Sequence, residues 1–74
     1  MKAILEFNLP EDQEQFEDAS NGWKWSLLVW ELDQHLRNET KYAPDSTPPE
    51  KYQAYCDLRD KLHEMLNNHN LELR

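Results

Sequence analysis

Between Asn21-Gly22 and Ala43-Pro44 the chain runs without a glycine or a proline, and this stretch, Trp23 to about Tyr42, constrains the fold more than any other. Within it Trp25, Leu28, Val29, Leu32 and Leu36 recur at spacings of 3, 1, 3 and 4, a continuous apolar stripe at helical period. Trp23, Leu27 and Trp30 form a second stripe beside the first, spaced 4 and 3. A surface helix joins a core through one stripe. The second therefore needs another layer of the same domain or another chain to cover it.

A chain of 74 residues has room for one small core. A core of this size contributes roughly 3–5 kcal/mol net, so short chains often add disulfides, a metal or a partner subunit. An internal disulfide is excluded, because Cys56 is the only cysteine. A lone thiol fits a reducing compartment, where it packs as a small apolar side chain. The run Met1 to Phe7 is too short in apolar residues, and meets Glu6 too early, to act as a signal peptide, and no stretch has the 18 or so apolar residues of a membrane span. The expectation is one soluble domain, residues 1–74, made in the cytoplasm.

Outside the central helix the punctuation is clear. Residues 3–7 are strand formers. Pro10 disfavours helical geometry at Leu9 but suits a first helical position itself, so the first helix is expected from Pro10 to about Ser20, with Phe16 and Ala19 inward. Gly22, the only glycine, is the natural left-handed stop between the first and second helices. Thr47-Pro48-Pro49-Glu50 reads as a capping box opening a third helix from Pro48 to about Asn67, with Tyr52, Tyr55, Leu58, Leu62, Met65 and Leu66 on one face. Asn67 to Asn70 ends it, and the last residues alternate in strand fashion. The fold class is mainly α: a three-helix domain, with residues 3–7 and 70–73 as candidates for a short two-stranded pairing that would need the helices beneath it.

The formal charge of −7, from 15 acidic and 8 basic residues, argues against gripping nucleic-acid phosphates, which takes lysine and arginine. It is also uneven. Residues 1–20 carry six acids against Lys2 alone, a net −5, which leaves −2 for the rest. Some of these acids complement a helix dipole and solvate the surface. Glu11, Asp12, Glu14, Glu17 and Asp18 together would also steer the chain toward a basic partner surface. Trp23 and Trp30 are the residues expected to anchor such a partner, since indoles bury a large area at little entropic cost. Trp23, Leu27 and Trp30 equally form the candidate interface of a homodimer.

Reactive constellations are weak. Asp60 and His63 share a helical face, and Glu31 with His35 gives a second pair, but carboxylate-bridged metal sites need matching ligands converging from several helices. Cys56 lies mid-helix, with His63 about 10 Å further along by helical rise, and one glycine cannot build a phosphate loop. The chain reads as non-enzymatic, with no metal and no cofactor. A metal-dependent enzyme built on Glu31, His35, Asp60 and His63 is the remote alternative.

Three runs, Ile4 to Asp12, Trp30 to Arg37 and Asp60 to Met65, resemble a group of small tailed-bacteriophage accessory proteins of mostly unassigned function. The resemblance spans most of the chain and carries no catalytic motif. It implies a phage-encoded factor in the cytoplasm of an infected bacterium, one that binds and inhibits or modulates a host or defence complex. The alternative it leaves open is a self-associating structural module in phage replication or assembly.

Overall fold

In the computed structural model, which describes residues 1–73, three helices follow one another: α1 (Gln13–Ser20), α2 (Gly22–Lys41) and α3 (Pro49–Asn68). The chain is mainly helical, as its periodicity predicts. The helices nevertheless assemble differently from a three-helix core.

α1 begins at Gln13, three residues later than Pro10 predicts. The intervening residues are held in turns: the Asn8 N–H donates to Asp12 Oδ2 (3.0 Å), and the Asp12 N–H donates to the Asn8 carbonyl (2.8 Å). A short acidic side chain that satisfies nearby backbone competes with helix in this way. α1 buries none of its residues. Phe16 stays 39% exposed, edge to face with Phe7 at 5.8 Å, and Ala19 is exposed, so the two do not form the expected inward face.

α1 runs almost directly into α2. The Asn21 N–H donates to Glu17, and the Asn21 carbonyl accepts from Lys24 and Trp25, so the break between the helices is one residue wide. It lies at Asn21 and not at Gly22, which has no left-handed φ and opens α2 instead. A Cβ on Gly22 would meet nothing within 4 Å. Replacing Gly22 by alanine should therefore raise stability by about 0.5 kcal/mol, because the unfolded chain loses freedom and the folded one loses no contact. A shift of the urea midpoint to higher concentration is the readout.

α2 and α3 form an antiparallel pair. The seam between them is a heptad row. On α2 it runs Val29, Asp33, Leu36, Thr40, and on α3 Tyr55, Arg59, Leu62, Leu66, all of them buried or half-buried. Leu36 is the one buried apolar residue among those described. The predicted core stripe of α2 is therefore divided. Val29 and Leu36 face α3, whereas Trp25, Leu28 and Leu32 remain exposed. α3 divides likewise, with Tyr52, Leu58 and Met65 exposed.

The Thr47–Glu50 capping box does not form. Pro48 is the N-cap and Pro49 the first helical residue, which shifts the frame by one; no side chain caps the helix. Its C-terminus is better sealed. Asn70 adopts a left-handed φ of 55°, Leu71 N–H donates to the Leu66 carbonyl (2.9 Å) and Asn70 N–H to that of Asn67 (3.1 Å), the two bonds of a Schellman motif. Alanine at Asn70 should lower stability by about 1 kcal/mol, the cost of forcing an ordinary side chain into that conformation, while glycine should not.

No strand occurs among the described residues, so the pairing of residues 3–7 with 70–73 is not made. Both termini have other uses. Phe7 is drawn to Phe16 on α1, and Leu71 folds back onto Leu66, leading the tail across the open end of the hairpin beside Gly22, Trp25 and Val29. Arg74 lies outside the described residues.

The resulting shape is long, 55 × 28 × 19 Å, with a radius of gyration of 17.5 Å. A compact chain of this length would have a radius near 11 Å. Its accessible surface, 6739 Å², exceeds by roughly 1,900 Å² the ~4,800 Å² of a compact monomer of this mass.

Candidate protein-docking surface

The acidic residues of the N-terminal third divide by environment. Glu11, Glu14, Glu17 and Asp18 are exposed, while Asp12 is half-buried and occupied with the Asn8 turn. Glu17 accepts from the Gln13 side chain at 3.0 Å. None of the five is in an ion pair among the described residues, whose three pairs all lie on α2 and α3. Their negative field is therefore not cancelled locally.

This acidic segment leads straight into the indoles. Trp23, the second residue of α2, is 66% exposed, Trp25 61% and Trp30 39%. The predicted stripe Trp23, Leu27, Trp30 is on the surface throughout its length. The Lys24 ammonium lies 5.7 Å from the centre of the Trp23 ring. Burial of three indoles in one small core is thus not what the chain does.

The ligands of the metal alternative do not converge. Among the described residues no group of three or more histidine, cysteine, aspartate or glutamate side chains could hold a metal ion. His35 packs edge to face on Tyr55 (6.5 Å), and His63 is committed to Asp33. Cys56 is a half-buried free thiol. The grooves are open, and one of about 250 Å³, lined mainly by apolar side chains, lies under the C-terminal tail.

The cluster that sequence reading missed is Asp33 with Arg59 and His63. Asp33 is 4% exposed, at a seam position of α2. Arg59 and His63, one turn apart on α3, both reach it: Arg59 Nε to Oδ1 at 2.9 Å, Nη2 to Oδ2 at 3.4 Å, and His63 Nε2, which must carry its proton here, to Oδ1 at 2.6 Å. Gln34 adds a weak contact at 3.5 Å. The hydrogen bond from Arg59 holds the Asp33 carboxyl below the usual carboxylate range against the opposing effect of burial, and the bond from His63 helps. Asp33 in turn raises the Arg59 guanidinium. The signal was present in the sequence as the 29, 33, 36, 40 spacing, but it becomes visible only when a charged residue is allowed into the heptad row.

These groups fasten α2 to α3, and the linkage has a sign. A carboxyl depressed in the folded state stabilises it fully above its unfolded pKa, near 4, and ceases to do so as pH falls through the folded value. The thermal midpoint should therefore decline as pH drops below about 4, and the decline should be shallower in D33N.

No protein family, curated protein or solved structure matches this chain. The exposed acids and indoles and the seam that displays them are accordingly the basis for assigning a function.

Proposed function

We propose that the chain is a non-catalytic protein-binding factor that docks its acidic first helix and the Trp23–Trp30 edge of α2 on a basic surface of a partner protein. The observation that carries this is the adjacency along the chain of exposed carboxylates, in no ion pair among the described residues, to a two-thirds exposed indole. Charge steers encounter, and the aromatic residues supply the desolvated contact that slows release. Following the phage resemblance, the partner is a host or defence protein of an infected bacterium, inhibited or modulated by occupation of a surface, including one built for nucleic acid.

The test begins with capture of a partner from bacterial lysate on the intact chain, followed by kinetics. Reversing Glu14, Glu17 and Asp18 to lysine should slow association about 10-fold or more and flatten its salt dependence. Trp23→Ala should leave association nearly unchanged and speed dissociation on the order of 30-fold. Association that ignores both salt and charge reversal would remove the electrostatic basis of the proposal.

A further inference from the structure

We infer that the chain self-associates through the opposite edge of the hairpin, where Trp25, Leu28 and Leu32 of α2 and Leu58 and Met65 of α3 pack against the same five residues of a second copy, closing a four-helix bundle. This does not rest on the foreign-partner reading, which uses Trp23 and Trp30.

The edge follows from the seam. Leu28 and Leu32 precede the seam positions Val29 and Asp33, Trp25 continues their line one turn toward the start of α2, and Leu58 and Met65 precede Arg59 and Leu66; His35, Glu39, Ala54 and Lys61 precede the remaining seam positions. In a right-handed helix the preceding residue lies about 100° around the axis. Two antiparallel helices facing each other turn that position to the same side, so the five form one patch. Their exposures run from 47% for Leu32 to 61% for Trp25. The other edge differs. Trp30 follows the seam position Val29, and Leu27 and Trp23 continue its line toward the start of α2, but on α3 the residues that follow the seam positions are Cys56, Asp60, His63 and Asn67. That edge offers apolar surface on one helix only, so the homodimer is assigned here to the edge apolar on both. A seam flanked by a third apolar position is the pattern of bundle helices, not of an isolated pair.

Area points to the same occupant. The chain exposes roughly 1,900 Å² more than a compact monomer of its mass, part of it on the N-terminal segment. A standard stable interface takes about 800 Å² from each copy, less than half of that excess. The patch is also suited to a two-fold axis, under which it meets itself. Lys61, which precedes the seam position Leu62 on the same edge, has its charge paired with Glu64 at 3.5 Å.

Sedimentation equilibrium on the full chain, across a wide concentration range, tests this alongside three variants. The wild type should be a dimer whose thermal midpoint rises with concentration. L32E/L58E should weaken dimerisation on the order of 100-fold or more by burying two carboxylates per chain. W23A/W30A and the triple lysine reversal in α1 should change it less than about 3-fold, since by this account they act on the other edge and not on the dimer. If L32E/L58E does not fold, contacts between Leu32 or Trp25 and Leu58 or Met65 in a mixture of isotope-labelled and unlabelled wild type decide the matter by NMR. Their presence across chains supports the dimer and their absence overturns it. A folded monomer with a concentration-independent midpoint overturns it as well, and so does a dimer that W23A/W30A dissolves and L32E/L58E leaves intact.

Discussion

Arg59→Met should destabilise the fold by about 2–4 kcal/mol in urea titration, whereas D33L/R59M should be as stable as the wild type or more so. The asymmetry follows from what each change leaves behind. Without Arg59, the Asp33 carboxylate stays 4% exposed with only His63 and a weak Gln34 contact to hold its charge. Removing one partner of a buried pair typically costs about 3–5 kcal/mol, and the bond to His63 moderates the loss here. Removing both charges puts leucine and methionine into a seam already lined by Val29, Leu36 and Leu62, where the desolvation cost vanishes. A double-mutant cycle should show strong coupling between the two sites. Additive effects would mean that the ion pair does not fasten α2 to α3.

The second large effect is at Leu36. It is the one buried apolar side chain among the described residues, so Leu36→Ala should cost about 2–3 kcal/mol, the lower part of the usual range because half-buried neighbours can relax into the space. Set against the roughly 3–5 kcal/mol available to a chain of this size, that is most of its stability. Leu58→Ala is the informative contrast. Leu58 is 57% exposed, so in dilute protein its truncation should cost little, and the cost should grow as concentration favours the dimer. Equal costs at low and high concentration would show that Leu58 is not at an interface between copies.

The helices themselves were legible from sequence, because α2 and α3 carry strong periodicity and are bounded by Asn21-Gly22, the Pro44 to Pro49 loop and the Asn67 to Asn70 cap. Local chemistry at the boundaries was read less well. Asp12, one of the acids read as steering charge, closes a turn on Asn8, and the left-handed role expected of Gly22 falls to Asn70, just past the C-terminus of α3. The packing face was the main thing sequence reading missed. An apolar stripe says which residues shun water, not which neighbour covers them, and α2 has apolar residues on three sides. The true seam includes Asp33 and Arg59, residues that a hydrophobicity pattern places outside. Two terminal segments with strand character found nearer partners, Phe16 and Leu66, than each other. Trp23 and Trp30 are on the surface, as are Glu14, Glu17 and Asp18 of α1, and Trp25, expected in the core, is exposed with them.

Indole fluorescence as a function of dilution addresses the central claim, that α2 carries more apolar surface than one subunit can cover. In dilute protein the emission should be water-like and readily quenched by acrylamide, and it should move to shorter wavelength and become protected as concentration rises or a partner is added. Blue-shifted, quencher-resistant emission from all three indoles at every dilution, with the chain monomeric throughout, would contradict the account.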